Sequence, residues 1–456
     1  MNRIAFGLIK GSRLLHLNIL GYAIILAASL SGVSGSLVDD AARAKFFSRE
    51  SEFPAVLAQI LAVAFLFAVY FAAIANWRRL SVSKRYLAPA LAAAVLLAAL
   101  SVPGMTSADP FFYIRSARLL THYHLNPYLH TYREVHDAYS ALALYPGPLP
   151  YGPVTLLALV PAGFASSAGL WAAVYVLKAE WVAVFCANAW LVWNLARRMG
   201  ADPDYSFFVF AFNPLVLLEL IVAGHNDGIM IFFSLLALLY CRRGRFDVAL
   251  VLALLSGFAK ISGLIVFVAL FVLAVRQRSW KQLAIAVAVS AGIVTMLVMT
   301  ILPNANSWRA LLNPGGVVNA NSLYGWLSDM IGIPPDSPGF RYARLFAAAA
   351  LGVICAWRLS RIGDFASLVR ECGYLTLALL VIYAGQFWVW YATWLVPYAA
   401  LTESKTLRES ILLYSFTALS LYAIPMVWSA HDLTLRFTRW ALANTPPLVR
   451  LSVHKA

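Results

Sequence analysis

Charged side chains are scarce in this chain: Asp, Glu, Lys and Arg make up 12% of 456 residues, while apolar and aromatic residues make up 62%. Soluble globular chains carry about twice that share of charge, so a water-soluble fold is excluded and most of the chain is expected in lipid. Acids are scarcer than bases, 20 against 35, for a net charge of +15. The Lys and Arg residues sit in short clusters between apolar runs and not on one soluble face, so they read as topology signals and no nucleic-acid partner is expected. Cysteine is also rare. Cys186, Cys241, Cys355 and Cys372 lie within or at the edges of apolar runs without CxxC spacing, and neither a disulfide nor a metal site is expected from them.

What the chain has in quantity is apolar runs of about 18 to 25 residues, each long enough to cross a hydrocarbon core of about 30 Å as a helix. The fold class expected is all-α: a polytopic transmembrane bundle of about thirteen spans. The start of the chain, with Arg3, Lys10 and Arg13 before an apolar stretch, has features of a secretory signal, and Ser31–Gly35 of a cleavage region. The run 14–35 is long for a signal, so an uncleaved first span is expected.

Lys and Arg are retained on the cytoplasmic side of short loops, and the clusters pin the path. Residues 1–104 hold three spans, near 14–35, 54–76 and 86–104, with Trp77-Arg78-Arg79 and Lys84-Arg85 inside. Segment 105–153 is then external. A central bundle, 154–302, follows with spans near 169–195, 205–223, 228–241 and 282–302. Between Arg245 and Arg276 two short arms fit better than one crossing, with a turn at Ala259-Lys260-Ile261-Ser262-Gly263. Arms of about 15 residues reach only about 22 Å, so Lys260 is expected at a recessed external tip lining a cavity. Loop 303–340 is external, spans near 342–357, 373–389, 391–402 and 409–429 fill 341–430, and 431–456 is a basic tail.

Three polar clusters stand out against this background. Asp109 directly follows the third span and opens an amphipathic stretch that includes Tyr113, Arg115 and Arg118. That stretch is expected to form a helix along the outer surface, with His122, His124 and Asn126-Pro127-Tyr128 beyond it. Gly224-His225-Asn226-Asp227-Gly228 is a tight turn preceded by Glu219 inside an apolar run, where a carboxyl costs a few kcal/mol unless paired or facing water. Lys178 and Glu180 read as a self-neutralising pair. The third cluster, Gln386 through Trp388, Trp390, Tyr391, Trp394 and Pro397, suits either an aromatic belt at the headgroups or a platform for a sugar face.

At these residues the chain resembles the GT-C superfamily of membrane glycosyltransferases, and specifically the bacterial polyprenyl-phosphate-mannose-dependent α-mannosyltransferases. The resemblance rests on Asp109-x-x-x-Tyr113, Asn126-Pro127-Tyr128, Tyr151-Gly152-Pro153, Phe212-Asn213-Pro214-Leu215 with Gly224-His225-Asn226-Asp227, Gly257-x-x-Lys260, and Trp390-Tyr391-x-x-Trp394-x-x-Pro397. It spans about 105 to 400, in order. Glu219 departs from the pattern, standing where a His or a neutral residue is expected. The resemblance implies transfer of a sugar, mannose first, from a polyprenyl monophosphate donor to a glycolipid or glycan acceptor. It places the reaction on the external face of the bacterial inner membrane, with inversion, and makes Asp109 the general base.

Such a transfer needs one carboxylate for the acceptor hydroxyl and one or more cations for the departing phosphate. Lys260 is the first choice for the phosphate, with Arg115 and His225 behind it. Tyr113, Arg118, His124, Asn126, Tyr128, Tyr151, Glu219, Asn226, Asp227, Trp390 and Tyr391 are expected to contact substrate. No cofactor is expected, because the external segments lack the group of acids a divalent ion wants. The competing readings are a GT-C-like enzyme for another lipid-linked sugar such as arabinose or glucose, an oligosaccharide ligase, and a transporter or flippase using Glu219, Asp227 and Lys260 as intramembrane sites. The topology predicts that, in a background without native cysteines, a cysteine at Ser107 is labelled by an impermeant reagent from outside and one at Ser83 is not. Labelling of both from one side overturns it.

Overall fold

The computed structural model describes residues 11–31, 53–78, 86–101, 107, 109–140, 142, 147–312, 323–334, 337–383, 387–419 and 433–452. The cluster Arg79, Lys84 and Arg85, most of the cleavage-like stretch, Ser83, Gln386 and Lys455 lie outside these residues. Among the described residues every regular element is helical. Five helices among the described residues are long and apolar enough to cross a membrane: Arg13–Leu30, Leu170–Arg198, Trp280–Thr300, Pro338–Leu359 and Phe365–Tyr383. A pair bent by 52°, Pro203–Ala211 with Pro214–Val222, makes six if it is one span, and shorter apolar helices fill in between.

Two stretches differ from the sequence reading. A helix at Pro153–Ala165 fills the interval before the expected span near 169–195, where no crossing was placed. Its apolar run is broken by Pro161, which hides its length from a search for uninterrupted spans. The basic tail also contains a helix, Leu433–Ser452.

The described residues gather into two compact units. The first takes in the chain up to Pro146, Ala158–Trp193 and Asp202–Gly228. In it, the helices Gly11–Ser31, Phe53–Ala75 and Leu87–Leu100 pack together through buried Tyr22, Leu66, Phe67, Tyr70 and Ala94. The bent pair owes its shape to repeated local chemistry. Asp202 and Asn213 each cap the helix that follows, and each is succeeded by a proline at the first helical position. A side-chain acceptor plus a proline with no N–H to satisfy starts a helix well, but a second start inside an apolar run forces a bend. Tyr70 fastens the bend by donating its hydroxyl to the Val209 carbonyl at 2.6 Å.

The second unit comprises Gly147–Leu157, Asn194–Ala201 and the chain from Ile229. Its central feature is the short-armed hairpin: Phe246–Ala259, then a break at Lys260 in extended conformation (φ −152°, ψ 132°), a turn at Ile261–Gly263, and Leu264–Arg276. Small residues let the arms meet. A Cβ on Gly263 would lie 2.3 Å from the Ser256 hydroxyl. The apex is gripped by the segment before Pro153, where the Gly152 N–H and the Thr155 hydroxyl both donate to the Ala259 carbonyl, at 3.1 and 3.0 Å. Gly152 approaches so closely that a Cβ there would lie 1.8 Å from the Phe258 carbonyl oxygen. Only glycine fits this contact.

Candidate functional site

The helix Asp109–Thr121 does not lie on a surface. Nine of its thirteen residues are buried, Arg115 and Arg118 among them. A buried guanidinium needs partners for its fork of donors, and Arg118 has them: Nε to the Tyr132 hydroxyl at 3.0 Å, Nη1 to Ser166 at 2.7 Å and Nη2 to Asp137 at 2.7 Å. Its carbon centre stands 4.1 Å above the Tyr139 ring. Arg118 therefore ties the segment 132–139 to the helix. Asp137, which the sequence reading passed over, is the hub of this clamp and also accepts from Tyr123 and Tyr132. Arg115 is stacked 4.4 Å over Tyr132. The three residues Asn126-Pro127-Tyr128 make a turn in which the Asn126 side chain accepts from the Tyr128 N–H, and the Tyr128 ring is buried. His124 is exposed and takes a left-handed conformation, φ 53°, just beyond the helix end.

Asp109 begins the helix. The Tyr113 hydroxyl, one turn on, donates to its Oδ2 at 3.1 Å. On the same oxygen, at 3.4 Å, stands Nδ1 of His225, and 3.3 Å from the other ring nitrogen stands Oε2 of Glu219. The chain builds this constellation through two irregularities. Leu218–Val222 is a single turn of π-helix, a form frequent at functional sites, and it carries Glu219. Gly224 then takes φ +77°, a conformation glycine reaches without strain, and reverses the chain so that the His225 N–H bonds the Glu219 carbonyl. Trp181 holds this turn through its indole N–H to the Gly224 carbonyl at 2.9 Å.

The His225 side chain is fully buried, Glu219 is 1% exposed and Asp109 is 28% exposed. Burial disfavours charge on the imidazole, but the neighbouring Asp109 and Glu219 outweigh it and raise His225 to about 9. A ring flanked by two carboxylates stands in surroundings of net negative charge, which an approaching phosphate would meet. Asn226 is buried next to it, and Asp227 opens the following helix.

Lys178 and Glu180 do not pair. Residues two apart on a helix point to different faces, and Lys178 donates to the carbonyls of Ala98 and Ser101 at the end of Leu87–Leu100. There it meets the negative end of a helix dipole.

In the second unit, Lys260 leaves the hairpin apex into a cluster of rings. Its ammonium is 4.5 Å from the centre of Tyr391, 5.1 Å from Trp394 and 5.3 Å from Tyr151. Such cation–π contacts are worth about 0.5 to 2 kcal/mol each, more when desolvated. Tyr391 and Trp394 stack at 4.5 Å, and Trp388 and Trp390 lie parallel at 5.2 Å. Trp390 and Trp394 are buried, so these rings are neither a headgroup belt nor a wholly open platform. Among the described residues no group of three or more His, Cys, Asp and Glu could hold a metal ion.

Comparison with known proteins decides the family. A family model described as "Alpha-(1->6)-mannopyranosyltransferase, N-terminal domain" matches residues 16–276. The chain belongs to this MptA/B family. The match includes Asp109, Glu219, His225 and Lys260. Alpha-(1->6)-mannopyranosyltransferase B of Corynebacterium glutamicum is 27% identical over 313 residues, covering 61% of this chain and 52% of the relative. The chain thus spans about half the length of that relative in the match.

The clamp has a measurable consequence. Burial raises the Asp137 carboxyl, but hydrogen bonds from Tyr132, Arg118 and Tyr123 outweigh this and hold it below its ordinary value. A depressed carboxyl contributes stability above its unfolded value and loses it as pH falls through the folded one. Asp137→Asn is expected to cost about 1.5–3 kcal/mol at neutral pH and to flatten the loss of stability below about pH 4. Thermal unfolding in detergent across that range measures both, and an unchanged acid limb would refute the clamp.

Proposed function

We propose that the chain is a multi-span membrane mannosyltransferase. It takes mannose from a polyprenyl monophosphate and places it on a glycolipid or glycan acceptor, with inversion, at the external face of a bacterial inner membrane. The observation that carries the reading is the family match over 16–276. The span count of about thirteen, which needs the shorter helices to cross as well, belongs to this proposal.

The residues support a division of labour. The acceptor hydroxyl gives its proton to Asp109 as its oxygen attacks the anomeric carbon; the bond from that carbon to the phosphate oxygen breaks, and polyprenyl phosphate departs with the electron pair. Asp109 suits the base because it is the member of its cluster with exposed surface, with the Tyr113 hydroxyl donating to its Oδ2 and the His225 ring 3.4 Å away. In the second unit Lys260 suits the phosphate. Ring faces hold an ammonium in place without cancelling its charge, and an anion in such low-dielectric surroundings is attracted far more strongly than in water.

Two substitutions test this with purified protein, polyprenyl-phosphate-[14C]mannose and a membrane lipid extract. Asp109→Asn keeps size and most hydrogen bonding but cannot take up the proton, so transfer should fall by about 10²- to 10⁴-fold with little change in melting temperature. Transfer at the wild-type rate by a folded variant would make Asp109 a structural helix-start residue only. Lys260→Met should raise the KM for the donor by about tenfold or more, the loss of one charge-assisted contact. An unchanged donor KM removes Lys260 from the site.

A further inference from the structure

We propose that Glu219 is a positioning residue for the base: it holds His225 as an imidazolium between two carboxylates, so that Asp109 stays ionised and ready for the acceptor proton. The inference rests on the reading of Asp109 as general base.

The geometry starts from the two ring nitrogens. Nδ1 faces Asp109 Oδ2 at 3.4 Å and Nε2 faces Glu219 Oε2 at 3.3 Å. A neutral imidazole has one N–H and one lone pair, so it would turn a lone pair toward one of the carboxylates whichever tautomer it took. The imidazolium turns an N–H toward each. Two carboxylates flanking one small ring would otherwise push a proton onto one of themselves. Asp109 is the member nearest water at 28% exposure, and Glu219, at 1%, is enclosed in the π-turn. A proton on Asp109 would remove the base. Placed on His225, it leaves the three groups with a net charge of −1 at rest, and of zero once Asp109 has received the acceptor proton.

The groups around the ring are consistent with this. From the helix Asp109–Thr121 the titratable groups at this site are Asp109 and, on its Oδ2, the Tyr113 hydroxyl. From the preceding turn comes Glu219, and Asp227 follows two residues later in the chain. The helix Leu170–Arg198 meets the turn through the Trp181 indole at Gly224, and its Lys178 is directed at the carbonyls of Ala98 and Ser101. Asp109 and Glu219 both stand within ion-pair distance of His225. A carboxyl held at apolar depth at a cost of a few kcal/mol is accounted for if its charge is what keeps the imidazole protonated.

The test separates position from bulk. In Glu219→Gln the imidazolium loses one carboxylate, so the midpoint of the His225 ring titration, followed by 15N signals, should move about one pH unit or more toward neutrality. kcat should fall about tenfold while the donor KM holds, and Glu219→Asp should recover part of both. A ring midpoint in Glu219→Gln that coincides with the wild type overturns the proposal. Independently of any turnover, the 15N ring signals of His225 in the wild-type protein, identified by their loss in His225→Gln, should be those of a doubly protonated ring at about pH 8. A neutral ring there overturns the proposal even if mannose is transferred. Failure of the wild type to transfer mannose would instead remove the proposed function and leave the ring measurement to stand or fall alone.

Discussion

Taking an ion or a polar group out of water costs several kcal/mol unless something inside the protein replaces the lost solvation, and in a chain this apolar that cost governs where every charge sits. The buried ions, and the half-buried Lys260, are compensated in several ways. Arg118 spends its donors on Asp137, Tyr132 and Ser166. Lys178 sits on the carbonyl end of a helix. Glu371, 1% exposed, lies within 3.3 Å of Arg358 and 2.9 Å of Arg370. His225 has carboxylates at both nitrogens, and Lys260 has aromatic faces. These are distinct electrostatic solutions, and they divide the charges into those that hold the fold and those that remain useful to a substrate.

Compensation of this kind requires irregular backbone. A regular helix satisfies its own N–H and C=O groups and presents side chains around a cylinder, so it cannot by itself direct several groups at one point. The chain departs from regularity where its chemistry concentrates. A second helix start at Asn213-Pro214, the π-turn at Leu218–Val222 and the left-handed Gly224 occur within twelve residues and deliver Glu219 and His225 together. The extended Lys260 interrupts the hairpin in the same way. Each irregularity is braced by side chains: Tyr70 on the Val209 carbonyl, Trp181 on the Gly224 carbonyl, Thr155 on the Ala259 carbonyl.

Sequence pattern reads such breaks well and reads partners poorly. The hairpin break at Lys260 followed from two basic clusters too far apart for one loop and too close for two full spans, and Asp109 at the head of a helix followed from the end of the third apolar run. Both are local signals. The duties of Arg118, Lys178 and Tyr391 depend on residues 14 to 131 positions away, and composition carries no trace of such distances. An Arg interleaved with apolar residues looks amphipathic whether its partner is water or a buried Asp137. The helix Pro153–Ala165 was missed for a related reason, since a proline inside it and its shortness both argue against a span when the packing of Gly163 on Ala117 and Thr121 cannot be seen.

The way each cation is compensated also sorts the candidates for an anionic substrate. Arg118 forms a charge pair with Asp137, and its Nε and Nη1 donate to Tyr132 and Ser166, so a phosphate would compete with bonds of 2.7 to 3.0 Å. His225, even as an imidazolium, is outnumbered by carboxylates, and an approaching phosphate would meet net negative charge. Lys260 differs in kind. Quadrupoles attract a cation without cancelling its monopole, so beyond the rings the field of the ammonium survives. Aromatic faces thus hold the ammonium at the hairpin apex while its field still reaches an incoming anion. In the proposed reading, giving the basic and acidic duties to separately compensated groups in this way keeps the phosphate's partner from neutralising the base, the condition that a transfer between a hydroxyl and a lipid phosphate imposes.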